Sequence, residues 1–314
     1  MKETTFTHKT SDGIGVFVRK WRGDVAPKAL VLIVHGVAEH SKRYERLAED
    51  LTNGGYEVWA PDHRGHGRTA EASGGRGWFA AKDGFRRVVD DLKEIRDRMV
   101  SEHPGLPVFL LGHSMGSSLA RAYIVLYGDG LAGCVLSGIV ALDPFLQAVS
   151  GIVVAVGRAL QGGRGIARFA DSMSLGSYGK SFRPLRTPLD WLSRDTSVVD
   201  AYIADPDCGF TCTWDWYRDM NEGTRFILDT ASVSRIPKDL PIYIFSGSAD
   251  PVGAASGGVE KLAQTYKSAG LRDVKTRLYP EGRHESLNEI NRDEVVRELL
   301  AWLDARTDRS VGAP

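Results

Sequence analysis

The sequence has few cysteines, no net charge and no long apolar run. Three cysteines in 314 residues are too few for a disulfide framework and suit a reducing compartment such as the cytoplasm. Forty lysines and arginines balance forty aspartates and glutamates, so no bulk electrostatic field attracts nucleic acid or an anionic membrane. No run of about eighteen uncharged apolar residues occurs, so no transmembrane helix is expected. The segment Met1–His8 lacks the apolar core of a secretory signal, and none is expected.

Strand-like and helix-like runs alternate along much of the chain. The strand-like runs are Thr4–His8, Gly15–Lys20, Leu30–His35, Tyr56–Ala60, Val108–Leu111, Cys134–Ser137, Ile242–Phe245 and Val274–Tyr279. The helix-like runs are Arg43–Asn53, Phe85–Met99, the residues after Ser114 to about Tyr127, Val259–Ala269 and Arg292–Asp304. The first two strands predict an antiparallel hairpin. The later apolar strands, joined by helices, predict a parallel sheet covered on both faces, and hence an α/β domain.

This alternation stops between about Val140 and Ile236. The stretch is too long for a simple connection and predicts an inserted cap, which divides the chain into core residues 1–139, cap residues 140–236 and core residues 237–314. Its apolar segment Phe145–Leu160 has two readings, a helix that contacts lipid or one that packs on the core. The near lack of charge in this segment favours lipid contact.

Ser114 lies in the pentapeptide Gly112–Gly116, directly after the apolar run Pro107–Leu111. This order predicts a strand, a sharp turn with the serine at its tip, and then a helix. Glycines two positions either side permit such a turn, because larger side chains would collide there. The pentapeptide alone arises by chance with a probability of roughly a quarter in a chain this rich in glycine. The flanking strand and helix therefore carry the prediction.

A serine nucleophile needs an imidazole base, which a carboxylate orients. A strand–serine–helix turn is typical of α/β-hydrolases, whose order along the chain is serine, acid, histidine. Of the eight histidines, only His284 follows Ser114, in a loop after the last predicted strand. Asp250 follows the strand Ile242–Phe245, at the sheet edge where open parallel sheets place their sites. Asp143 is the alternative acid, although its Asp-Pro context is also typical of a turn, and Asp250 is favoured.

The serine also needs two backbone donors for a developing oxyanion. The amide of Met115 follows the serine, and the amide of Val37 follows the strand that ends at His35-Gly36, so these two are the expected donors. Gly36 lets the backbone approach the substrate. The imidazole of His35 is expected to brace this loop by hydrogen bonds, without a part in proton transfer.

Together these residues resemble the α/β-hydrolase family of monoacylglycerol lipases and bacterial lysophospholipase-like esterases, among the serine aminopeptidase S33-type hydrolases. The stretches that carry the resemblance are His35–His40 with Arg43-Tyr44, Asp62–Arg68, Gly112–Gly116, Gly247–Asp250 and His284. The resemblance covers nearly the whole chain apart from a less familiar cap. It implies a mostly parallel eight-stranded sheet with helices on both faces and an inserted helical cap. It also implies the triad Ser114, Asp250 and His284 and the oxyanion donors Val37 and Met115.

Other residues of these motifs are expected to support the site without reacting. Asp62 and His66 match a turn that holds the floor of the family's active site, and Glu39 and His40 match positions near its pocket. The cap follows the pattern of the long-chain lipases only loosely, so acyl-chain preference is left open.

The expected function is therefore hydrolysis of a carboxylic ester, with a small lipid-derived monoester such as a monoacylglycerol or lysophospholipid as substrate. Gly36 and His113 are expected to contact it. No metal, organic cofactor or nucleic acid is expected, whereas a transient contact of the cap with a membrane surface is. Two alternatives remain open. One is a peptidase or amidase of proline iminopeptidase type, with Asp205 and Asp207 as candidates to bind an amine, and the other is a non-catalytic binding protein of the same fold.

Overall fold

The computed structural model describes residues 1–141, 144–253, 255 and 257–311. Its strands are β1 (Lys2–Lys9), β2 (Gly15–Arg22), β3 (Ala29–Val34), β4 (Tyr56–Pro61), β5 (Val108–His113), β6 (Gly133–Ser137), β7 (Ile242–Gly247) and β8 (Val274–Tyr279). Its helices are α1 (Glu45–Asn53), α2 (Gly84–Glu102), α3 (Met115–Tyr127), α4 (Pro144–Gln161), α5 (Arg168–Met173), α6 (Thr196–Ala204), α7 (Trp214–Leu228), α8 (Thr230–Val233), α9 (Gly258–Ser268) and α10 (Arg292–Val311). Asp143 lies outside the described residues.

The strands form one eight-stranded sheet in the order β1-β2-β4-β3-β5-β6-β7-β8. β1 pairs antiparallel with β2, and β2 antiparallel with β4, while every pair from β4 to β8 is parallel. The predicted hairpin and the mostly parallel eight-stranded sheet are both confirmed. Because the carboxyl ends of β3 and β5–β8 meet at one edge, the loops that follow these strands are brought together there.

Helices cover the sheet on both faces, as the continuous apolar strands predict. Along β3, every residue is buried, and alternate side chains enter two different cores. Leu30, Leu32 and Val34 pack in one cluster with α2 and α3, whereas Val31 and Ile33 pack in the other with α1 and α10. A strand that is buried on both faces needs no polar positions, which explains its uninterrupted apolar sequence.

The helices α4–α8 lie between β6 and β7, in the stretch where the strand–helix alternation stops. In α4, Val154 is buried and Gly157 lies directly against the ring of Trp214 from α7. The same helix leaves Ile152 and Leu160 exposed. Packing on neighbouring helices and an exposed apolar face therefore occur together in α4. The division of the chain into core and cap at residues 140 and 236 stays a prediction.

Candidate active site

Ser114 stands at the tip of the turn between β5 and α3, with φ 55° and ψ −121°. Residues other than glycine rarely adopt this left-handed φ, and such backbone strain is concentrated at functional sites. The flanking glycines are required by space. A Cβ on Gly112 would lie 2.4 Å from the Gly116 carbonyl oxygen, and one on Gly116 would lie 1.9 Å from that of Val34. The predicted strand, turn and helix are thus present, with the serine held at the turn by close backbone packing.

His284 and Asp250 form a fully buried pair. The Nδ1 atom of His284 lies 3.0 Å from Oδ1 and 3.1 Å from Oδ2 of Asp250. Asp250 also accepts hydrogen bonds from the Ser246 hydroxyl at 2.6 Å and the Val252 amide at 2.9 Å. These contacts place the imidazole proton on Nδ1, so the unprotonated Nε2 is left to accept a proton.

The protonation of this pair is set by burial and by mutual attraction. Burial opposes the charged form of Asp250, but the attraction and hydrogen bond of His284 and the bonds from Ser246 and Val252 outweigh it and lower the pKa of Asp250. Burial likewise opposes the charged form of His284, yet the attraction of Asp250 raises the pKa of the imidazole. The pair therefore stabilises an imidazolium whenever His284 takes up a proton.

Two aromatic rings hold the His284 imidazole in place. The ring centroid of Trp191 lies 5.1 Å from that of His284, and the ring centroid of His113 lies 4.8 Å from it. Burial, with a further contribution from His284, lowers the pKa of His113 to about 4. His113 is therefore neutral at neutral pH, and it contributes packing beside the histidine without competing for its proton.

The backbone donors predicted for an oxyanion lie beside the serine. In the described part of the chain, the amides of Val37 and Met115 donate no hydrogen bond to the protein. A Cβ on Gly36 would lie 2.7 Å from Oε1 of Glu39 and 3.3 Å from Cβ of Ser114, so only glycine fits at this approach. Amides that are free of protein partners and lie beside a strained serine are suited to bind an oxyanion.

Other histidines support the loop that contains Gly36 and Val37. His35 accepts a hydrogen bond from the amide of His63 at Nε2, 3.0 Å away, so its Nδ1–H donates to the Gly36 carbonyl at 2.7 Å. Burial lowers the pKa of His66 to about 3, which keeps that ring neutral. Asp62 accepts from the Ser41 amide at 2.8 Å and from its hydroxyl at 2.5 Å. These residues have bracing contacts of the kind expected from the sequence.

An ionic network at the site was not predicted from the sequence. Arg43 lies between Glu39, which ends the oxyanion loop, and Glu285, which follows His284. All three side chains are largely buried. The available signal was the pair of opposite charges four residues apart in a turn and a third charge directly next to the only downstream histidine.

Ser114 and His284 line one cleft, with an empty volume of about 660 Å³ when the part open to solvent is counted. Gly36, Val37 and His113 line the same cleft, so the structure brings these predicted residues together. Its apolar walls come mostly from the stretch between β6 and β7 and include Leu175, Leu189, Leu192 and Phe210. The cleft thus joins an apolar wall to a polar end that holds the serine and the histidine.

One group of side chains near the cleft has metal-binding chemistry. Ligand atoms of His40, Asp205 and Cys208 lie within 4.8 Å of one another. The contact between Nε2 of His40 and Oδ2 of Asp205, at 2.9 Å, is accounted for by a hydrogen bond. Burial raises the pKa of the Cys208 thiol well above its usual range, which disfavours the thiolate that a metal ion would require.

An eight-stranded sheet of this order, with a serine on the turn after β5 and a histidine in the loop after β8, defines an α/β-hydrolase. The family model described as serine aminopeptidase, S33, matches residues 25–291. The chain belongs to this family of hydrolases.

Three relatives show how far the similarity extends. Human monoglyceride lipase is 31% identical over 307 residues, which cover 95% of this chain and 89% of that protein. The monoacylglycerol lipase of Mycolicibacterium smegmatis is 29% identical over 301 residues, with 93% of each chain covered. A thermostable carboxyl esterase from Bacillus coagulans, whose crystal structure contains glycerol, superposes with a TM-score of 0.89 at 29% identity, covering 98% of this chain and 99% of that one.

Proposed function

We propose that this enzyme hydrolyses neutral monoacylglycerols through Ser114, His284 and Asp250. The observation that carries the proposal is the buried Asp250–His284 pair, 3.0 Å apart, whose histidine lines one cleft together with Ser114. The similarity to monoglyceride lipases over nearly the whole chain supports the ester substrate.

In the proposed mechanism, the Ser114 oxygen attacks the ester carbonyl while Nε2 of His284 takes the hydroxyl proton. A bond forms between the serine oxygen and the carbonyl carbon, and the amides of Val37 and Met115 hold the negative oxygen. The bond to the glycerol oxygen then breaks, and His284 gives that oxygen the proton. Water, deprotonated by His284, cleaves the acyl-enzyme in the same way and releases the fatty acid. Asp250 keeps the imidazole in the reactive tautomer throughout.

The charge of the cleft favours a neutral head group. Glu39, Asp171 and Glu285 line the cleft, and no lysine or arginine is among its described lining residues. Arg43 is shared by Glu39 and Glu285, so two carboxylates face one guanidinium and one of their two negative charges remains uncompensated. Asp171 adds a further carboxylate to the lining. A phosphate on the glycerol would be repelled in such a site, whereas a free hydroxyl would not. Monoacylglycerol is thus favoured over an anionic lysophospholipid.

A matched substrate pair tests this proposal. We expect kcat/KM for 1-octanoylglycerol to exceed that for 1-octanoylglycerol 3-phosphate by at least about tenfold, because like charges in a partly buried site cost several kcal/mol. The two compounds differ only by the phosphate. Equal rates would contradict the neutral head group, and activity confined to the shortest p-nitrophenyl esters would contradict a lipid substrate altogether.

The peptidase alternative receives less support from the acidic residues that suggested it. Asp205 is hydrogen-bonded to His40, and Asp207 is paired with Arg76. Neither aspartate is among the described residues that line the cleft. An aminoacyl anilide included in the same assay decides the matter, since its hydrolysis at a higher rate than any ester would favour the peptidase.

We also propose that the insertion touches lipid surfaces with α4 and α5. Ile152 and Leu160 of α4 are 67% and 78% exposed, and Phe169 and Met173 of α5 are 61% and 55% exposed. No helix within the described ranges combines the length and hydropathy needed to cross a bilayer. An exposed apolar face on a helix that does not cross the bilayer is typical of contact at the membrane interface. The cytoplasmic location expected from the sequence stays a prediction.

A charge-introducing variant tests the membrane contact. We expect Ile152→Glu/Leu160→Glu to bind neutral phosphatidylcholine vesicles about tenfold more weakly than wild type, because two apolar side chains lose their burial in lipid. Co-sedimentation measures the binding, and hydrolysis of a water-soluble ester should be unchanged. Val25→Glu, at an exposed apolar position before β3, is the matched control. Equal vesicle binding by the double variant and this control would refute the contact.

A further inference from the structure

Arg43 connects two segments that are far apart in the sequence. It belongs to the 3-10 turn Ser41–Tyr44, directly before α1. Its Nη1 donates to Oε2 of Glu39 at 2.5 Å and to Oε1 of Glu285 at 2.8 Å, and its Nη2 donates to Oε2 of Glu285 at 2.8 Å. The guanidinium also lies over the Tyr202 ring, 4.7 Å from its centroid. Both carboxylates are thus held by one planar, buried group.

Each carboxylate is attached to one half of the candidate active site. Oε1 of Glu39 accepts hydrogen bonds from the Gly36 amide at 2.5 Å and the Tyr44 hydroxyl at 2.9 Å, so it fixes Gly36, the residue just before Val37. Glu285 is the residue after His284, and its own amide donates to the Leu192 carbonyl at 2.8 Å. A shift of the guanidinium would therefore move both the oxyanion amide and the histidine.

We propose that Arg43 is a positioning residue that sets the distance between the oxyanion loop and the His284 loop through Glu39 and Glu285. Arg43 is not among the described residues that line the cleft, whereas both of its partners are. A guanidinium suits this task because its planar fork binds a carboxylate at two points, which a lysine ammonium does not do. The inference rests on the proposed function, since it concerns how the proposed site is held in its reactive geometry.

The charges of the network are stable at neutral pH. Burial opposes ionisation of Glu39, but Arg43 and nearby histidines lower the pKa of Glu39 to about 2. Burial likewise opposes the charge of Glu285, and the attraction and hydrogen bonds of Arg43 lower its pKa. The ionised groups that face His284 are Asp250, Glu285 and Glu39, and neutral His113 packs against its ring.

Steady-state kinetics of Arg43→Gln and Arg43→Lys on a soluble ester tests the proposal. We expect Arg43→Gln to lower kcat by about 10- to 100-fold with KM within about threefold, because a small misplacement of catalytic groups slows the chemical step. Arg43→Lys keeps the positive charge but not the planar guanidinium. We expect its melting temperature to stay close to that of wild type while its kcat falls. Arg272→Gln removes an exposed arginine of the Arg272–Asp239 pair and serves as the control.

Glu285→Gln provides a second measurement in case Arg43→Gln fails to fold, since it leaves the Arg43–Glu39 pair intact. Loss of the Glu285 charge should also lower the pKa of His284. The acidic limb of the plot of kcat/KM against pH should therefore move to lower pH. A lower melting temperature with unchanged kcat and an unmoved limb would reduce Arg43 to a stabilising contact and overturn the inference. If wild type itself shows no fluorophosphonate labelling or ester hydrolysis, the proposed function fails and the inference falls with it.

Discussion

Replacement of Ser114 by alanine is expected to lower kcat for ester hydrolysis by about 10⁵- to 10⁶-fold, because it removes the hydroxyl proposed to form the acyl-enzyme. The same variant should lose covalent labelling by a fluorophosphonate. Stability should change little, because the strained φ of 55° is a property of the backbone and alanine has a Cβ as serine does. Circular dichroism and thermal unfolding of the variant would verify that the fold is retained.

Ser172→Ala is the matched control, because Ser172 lies in α5 on the exposed surface and bonds only the Phe169 carbonyl among its described neighbours. It should be labelled like wild type. Labelling that persists in Ser114→Ala would assign the nucleophile to another residue. A folded wild type that is neither labelled nor active would instead favour the non-catalytic binding protein considered from the sequence.

Asp250→Asn is expected to reduce kcat by about 10⁴-fold with little change in KM. An amide at this position can present its NH₂ group to Nδ1 of His284, which moves the imidazole proton to Nε2. The ring would then be unable to accept the Ser114 proton. The near-isosteric change keeps an acceptor for the Val252 amide or the Ser246 hydroxyl, so the loop should hold its shape.

Asp239→Asn controls for the loss of a carboxylate, because Asp239 is 76% exposed and pairs only with exposed Arg272 among the described residues. Single-turnover acylation, measured for wild type, Asp250→Asn and Asp239→Asn, separates the chemical step from substrate binding. Asp143→Asn belongs in the same series. Full activity of Asp250→Asn together with loss of activity in Asp143→Asn would transfer the role of the acid to Asp143.

The sheet could be predicted from the sequence because its central strands consist of uninterrupted apolar residues. Val31, Leu32 and Ile33 are apolar without interruption, and only a strand buried on both faces tolerates that pattern. The order of Ser114 and His284 along the chain likewise allowed the histidine of the site to be predicted, since only one histidine follows the serine. These features depend on local composition and on chain order, which a single sequence contains.

The Arg43 network could not be predicted in the same way. Glu39 and Arg43 are near neighbours in sequence, and such a pair is most simply a solvated contact on a turn. Its burial depends on Glu285, which is 242 residues away from Arg43 in sequence and follows β8, the strand that pairs with β7. The shape of the cleft could not be predicted for the same reason, because its apolar walls come mostly from the stretch between β6 and β7, whose side chains are placed by tertiary packing.

The long reach of the Arg43–Glu285 contact also bears on biosynthesis. Residues 36–115 contain the proposed serine and both proposed backbone donors, and the proposed base at position 284 is synthesised much later than these. Contacts of such large sequence separation form late, because the chain between them must first be ordered. A ribosome-bound chain thus contains the proposed nucleophile before the histidine proposed to activate it, and we expect reactivity to appear only when β8 has docked on β7.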